Sequence, residues 1–217
     1  MDEAGVSTDS ASSMENEMRE KKKTRWVILA IAPIANYLSL YVYYSWGIIP
    51  ALLLELLIGI VLVVLFLEEL VADWNTFFDK TKWIGIFIPI SVVVTKTAFI
   101  LLSKITITEP SGILIPITDY SYMHILLVGP LIEELSCRFL IFRVIKNPWL
   151  ALIVSSVYFG LLHVIIQVLV TQDVMNLLPG IGYAVMGAVF GLSYRRTKNI
   201  WAPIAVHAAY NLIILLI

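Results

Sequence analysis

Glu133, Glu134 and Arg138 lie close together in VGPLIEELSCRFLIFR, residues 128–143, an otherwise apolar run. Ionisable side chains inside a membrane span cost at least about 2.5–3.5 kcal/mol each, so they are rare there and point to function by default. Glu134 and Arg138 are four residues apart, neighbours on one helical face, and each lowers the cost of burying the other. Their spacing reads as a structural ion pair. Glu133 is turned by about 100° around the same helix and has no basic residue at i±3 or i±4. Its partner must therefore come from another segment. A carboxylate desolvated in this way is suited to act as a general base.

The candidates for that partner are few, because the chain has three histidines. His124, at the mouth of the same run, reads as an interfacial residue without chemistry. His163 ends FGLLH, with Phe159 one turn earlier, and His207 begins HAAYN, with Asn211 one turn later on the same face. Two histidines, a glutamate and an asparagine on three apolar runs make a base and hydrogen-bonding groups that could meet at one depth. Pro130, three residues before Glu133, is expected to bend its helix and free backbone carbonyls. Cys137, the single cysteine, excludes an internal disulfide and a multi-cysteine metal site and reads as packing.

The elements that must position these residues are apolar helices. The chain is 59% hydrophobic and 14% charged, with a mean hydropathy of +0.88. A soluble domain is about 45–50% apolar and about 25% charged, so the chain belongs to the membrane class. A net charge of −1 gives no reason to expect nucleic acid as a partner. Residues 1–25 read as a disordered polar and basic tail, with no cleaved signal peptide. Residues 26–217 read as one all-α transmembrane domain, a polytopic helical bundle. A span needs roughly 20 residues, and seven candidates meet that measure: 26–44, 48–67, 83–102, 122–142, 149–170, 177–194 and 200–217.

Seven spans put Arg19, Lys21, Lys22, Lys23, Arg25, Lys80, Lys82, Arg143, Lys146, Arg195, Arg196 and Lys198 on one side and only Lys104 on the other. Cytoplasmic loops carry the excess of Lys and Arg, so a multi-pass protein of the cell membrane with its N-terminus inside is expected. Residues 68–82, with Glu68, Glu69, Asp73 and Asp79, read as a solvated interfacial helix. In 103–120, Pro110, Gly112 and Pro116 break any helix; it reads either as a loop partly covering a cavity or as a surface loop.

Glu133-Glu134-x-x-x-Arg138, Phe159-x-x-x-His163 and His207-x-x-x-Asn211, in this order on successive helices, resemble the three signature motifs of the CPBP family. These are the CAAX proteases and bacteriocin-processing enzymes, also called the type II CAAX protease or Abi family. The resemblance covers roughly residues 121–217, which in the family form the conserved helical core. It implies an intramembrane endopeptidase acting on a membrane-associated peptide or lipidated protein. Glu133 would deprotonate the attacking water, His163 would help to hold it, and His207 and Asn211 would donate to the oxyanion. Glu134 and Arg138, with Phe159, would support the site.

The resemblance also implies alternatives. The same scaffold serves in bacteriocin self-immunity and in regulating a membrane sensor, which would give the protein a sensor or transporter as partner rather than a substrate. A proton or ion carrier also uses buried Glu and His, but no matched pair of broken helices related by a repeat is present. Zinc is left open. His163, His207 and Glu133 supply two imidazoles and a carboxylate, a set that holds catalytic zinc. There is no HExxH, however, and a zinc-bound nitrogen of His207 could not also donate to an oxyanion. The balance favours a site in which zinc is absent or non-essential; if zinc is bound, His163 and His207 are its ligands.

Overall fold

The computed structural model describes residues 46–104 and 122–217, with scattered positions between 13 and 42. The tail, most of the first expected span and most of the 103–120 segment lie outside the described residues. The rest is helical, with no strand among the described residues. Helix α1 is Ile48–Leu65, α2 is Leu67–Asn75 and α3 is Thr81–Ser103. Helix α4 is a continuous series: a π-turn at His124–Val128, α-helix at Gly129–Glu134, a second π-turn at Leu135–Leu140 and α-helix at Ile141–Val144. Helices α5, Pro148–Thr171, α6, Leu178–Thr197, and α7, Trp201–Leu216, complete the chain.

The stretches 78–103, 148–165 and 174–197 are each long and apolar enough to cross a membrane, and α1 with α2, bent by 75°, makes a fourth if counted as one. The expected seven are thus not all matched by length and hydropathy. Helix α4 is divided by its π-turns, and α7, with 16 residues, reaches only about 24 Å against a core of about 30 Å.

Two cation–ring contacts bring the end of α6 to the starts of α5 and α3. The Arg195 guanidinium, at the end of α6, lies 3.6 Å over the Trp149 ring at the start of α5. Arg196 lies 4.0 Å over Trp83 at the start of α3. Amphipathic rings and arginines gathered on one face are the arrangement of a membrane–water boundary.

Between α5 and α6 the backbones meet directly, as helices do in lipid when small residues line the contact. A Cβ on Gly160 would overlap the Gly180 carbonyl oxygen and come within 2.9 Å of Ala184 Cβ. Because the obstacle is backbone, the helices must part. Gly160→Ala should therefore cost about 1–3 kcal/mol, read as a lower melting temperature in detergent. An unchanged melting temperature would mean that the α5–α6 seam tolerates widening.

Helix α2 fixes the start of α7. Asp73 Oδ2 accepts the Ile200 N–H at 2.7 Å, and Trp201 Nε1 donates to the Leu70 carbonyl at 2.8 Å. Asn199 donates to Thr76 Oγ1 at 3.1 Å and to the Asp73 carbonyl, while its own Oδ1 accepts from Trp201 N. These bonds satisfy backbone groups that a helix start leaves open. They also set the register of α7, and hence of His207 two turns on.

Candidate active site

The first π-turn follows from Pro130. Within it, Gly129 N–H bonds back to the His124 carbonyl, the five-residue step of a π-helix. The next such bond would run from residue 130 to Ile125, but proline has no N–H. The orphaned Ile125 carbonyl is taken instead by Asn211 Nδ2, at 2.8 Å. The freed carbonyl expected from Pro130 is therefore present, and it holds α7 against α4. An amide nitrogen carries two hydrogens, so Asn211 keeps one for other use.

The α-helical turn after Pro130 buries both glutamates. Glu133 Oε2 lies 3.8 Å from His163 Nε2 and 4.0 Å from His207 Nε2, and it is buried without a hydrogen-bond partner. The partner expected from another helix thus comes from two helices, α5 and α7. Each ring is held from behind. His163 Nδ1 is 2.8 Å from the Phe159 carbonyl, and His207 Nδ1 is 2.9 Å from Glu134 Oε1. Both partners only accept, so the proton of each neutral ring sits on Nδ1 and the Nε2 lone pair faces Glu133.

Glu134 accordingly does more than the ion pair read from its spacing. Its Oε1 accepts from Arg138 Nη1 at 3.1 Å as well as from His207. Arg138 is fully buried. Its Nη2 donates to the Gly187 carbonyl at 2.8 Å, and its guanidinium lies 4.5 Å from the Phe159 ring centre. A Cβ on Gly187 would come within 3.1 Å of Phe159 and 3.3 Å of Arg138, so glycine there admits the cation to the carbonyl. Charge runs from Arg138 through Glu134 to His207, in a site where water screens little.

Two aromatic residues that motif reasoning did not single out fix the imidazole planes. Tyr183 stacks on His163 at 4.4 Å and Phe190 on His207 at 4.5 Å. On a span, such rings look like ordinary lipid-facing or packing residues. The structure places the Phe159 ring beside both histidines and the arginine. Cys137 is buried and unpaired, in agreement with a packing role.

His124 departs from its expected role. Its side chain is only 14% exposed, and its Nδ1 lies 2.7 Å from the buried Glu55 Oε1 of α1. It shares with Glu133, His163, His207 and Asn211 the wall of one cavity of about 650 Å³, a volume within the range of ligand sites.

The donor types suit zinc but the spacing does not. Adjacent ligands on tetrahedral zinc stand about 3.3–3.4 Å apart, from metal bonds of about 2.0–2.1 Å. The Glu133 separations of 3.8 and 4.0 Å are wider, and no three His, Cys, Asp or Glu side chains gather as a metal cage among the described residues.

Comparison with known proteins agrees with the motifs. Residues 119–213 match the family model described as type II CAAX prenyl endopeptidase Rce1-like. The chain is similar to the protein named "Putative membrane peptidase YdiL" of Bacillus subtilis, 38% identical over 88 residues, covering 39% of this chain and 32% of that one. It is also similar to UPF0177 protein YbdI of Lactococcus lactis, 29% identical over 99 residues, covering 46% of this chain and 49% of that one. A third relative, from Mycoplasma capricolum, is 31% identical over 163 residues, 64% of this chain and 45% of the other. The matches thus span between a third and a half of the curated relatives' length. No solved structure matches. The stretch that matches the Rce1-like family model contains all three motifs from which the resemblance was read.

Proposed function

We propose that the protein is an intramembrane endopeptidase that cleaves a membrane-associated or lipidated peptide by attack of a water activated by Glu133. The observation that carries this reading is the convergence of one partnerless buried carboxylate oxygen on two histidine Nε2 atoms in a shared cavity. A water between them gives one proton toward Glu133 Oε2 and the other to the His163 Nε2 lone pair. As Glu133 takes its proton, the water oxygen attacks the peptide carbonyl carbon. The oxyanion then accepts from the second amide hydrogen of Asn211 and from His207, once its Nε2 has taken up a proton from solvent. Donors aimed at developing charge in a water-poor site are typically worth about 2.7–4 kcal/mol each. No nucleophilic serine or cysteine is required.

The test is fragment release in proteoliposomes from a panel of palmitoylated, internally quenched apolar peptides. The endopeptidase releases fluorescence; a wild-type protein silent across the panel, yet still conferring a phenotype in its host, would favour the immunity or sensor-regulating role instead. The same assay addresses the metal. Activity should survive exhaustive treatment with a strong chelator, and elemental analysis should find no stoichiometric zinc. Loss of activity on chelation, restored by added zinc, would make His163 and His207 ligands.

The proposal includes a multi-pass orientation with the Arg- and Lys-rich face in the cytoplasm. With Cys137 replaced by Ala, a cysteine at exposed Lys146 should be shielded from an impermeant thiol reagent in intact cells, whereas one at exposed Thr171 should react. The reverse pattern would invert the protein and put the site against the opposite leaflet.

A further inference from the structure

All three histidines of the chain line one cavity, and the mechanism above uses two of them. The third, His124, also has its Nδ1 close to a buried carboxylate of another helix, Glu55, at 2.7 Å. Glu55 is fully buried in α1, within LLLELLIG. A carboxylate and an imidazole inside an apolar bundle are costly, and their default reading is functional. The His124 Nε2 lies 3.7 Å from where a Gly129 Cβ would be. Gly129 is one helical turn before Glu133, so this nitrogen stands along the same wall, a turn from the base.

Peptide hydrolysis needs a proton at two places. The attacking water loses one on one side of the carbonyl carbon, and the departing nitrogen gains one on another. Glu133, between His163 and His207, serves the first. We propose that His124, held by Glu55, is the general acid that protonates the departing amine. This inference rests on the peptidase reading. In the step, the C–N bond of the tetrahedral intermediate breaks and its electron pair takes the proton from His124 Nε2. The carboxylic acid product forms as the oxyanion collapses. The proton taken from water by Glu133 returns to His124 through solvent, so the sum is peptide plus water giving acid plus amine. Glu55 is a positioning residue: it fixes the ring from the Nδ1 side and leaves Nε2 to carry the transferred proton.

An amine must be protonated to leave, whereas a phenolate, with its conjugate acid near pKa 10, leaves without help. The test therefore uses two acyl-matched lipopeptides in proteoliposomes, one with an amide and one with an aryl ester at the scissile bond. His124→Gln should lose about 100-fold or more on the amide, within the range of general acid catalysis, and less than about tenfold on the ester. Glu55→Gln should shift the same ratio in the same direction, by less. Folding of each variant is read separately, from its melting temperature in detergent, so a misfolded variant is recognised independently of either rate. Equal losses on both substrates in every folded variant, or an unchanged amide rate, would overturn the assignment of His124. A wild-type protein that cleaves neither substrate would instead count against the peptidase reading itself.

Discussion

Glu133→Gln should reduce cleavage by at least about 10²–10⁴-fold, the usual contribution of a positioned general base, while the protein stays in the membrane at normal abundance. The amide fills the same volume. It also removes a buried carboxylate oxygen that has no hydrogen-bond partner, so the melting temperature in detergent should hold or rise. Loss of function with retained stability is the mark of a group kept for chemistry, since a structural carboxylate moves both readouts together. Retention of full activity in Glu133→Gln would leave the scaffold reading in place of the peptidase.

Glu134→Gln is expected to do the opposite on one axis and the same on the other. It leaves Arg138 buried without its carboxylate, and breaking a buried pair typically costs about 3–5 kcal/mol. Abundance and melting temperature should fall. It also alters the group behind His207. A glutamine amide can donate to Nδ1, which would move the ring proton to Nε2 and reverse the tautomer that faces Glu133. Loss of a carboxylate that orients a catalytic imidazole costs up to about 10⁴-fold in the serine-protease triad, and a fall of at least about 100-fold is expected here. The two effects separate in the double variant Glu134→Gln, Arg138→Met. With both charges gone, most of the stability should return, but activity should not. Recovery of activity together with stability would show that Glu134 acts only through its ion pair.

Much of this site was legible in the sequence, because charged and imidazole groups in apolar runs stand out against physical cost. The need of Glu133 for a partner on another helix followed from its empty i±3 and i±4 positions, and both histidines of the motifs meet it. Pro130 announced a freed carbonyl; that Asn211 would take it depended on the π-turn and on the register of α7, which spacing does not contain. The bond from Glu134 to His207 spans 73 residues, and only packing could reveal it. Glu55 is different. It is a lone charge in LLLELLIG and carried the same signal as Glu133, but no motif drew attention to it, and His124 without its partner looked interfacial. Tyr183 and Phe190 resemble other aromatics of a span until the planes they stack on are known. Of the expected spans, hydropathy gives no sign that α4 carries two π-turns or that α7 has only 16 residues.

The most direct measurement of the central claim is hydrolysis in oxygen-18 water by wild-type and Glu133→Gln protein in proteoliposomes, with the fragments weighed by mass spectrometry. Direct attack by a Glu133-activated water predicts one heavy oxygen in the new carboxylate of each wild-type fragment after a single turnover, and no fragments from Glu133→Gln at equal protein. Fragments produced equally by the variant, or wild-type fragments without the heavy oxygen, would contradict it.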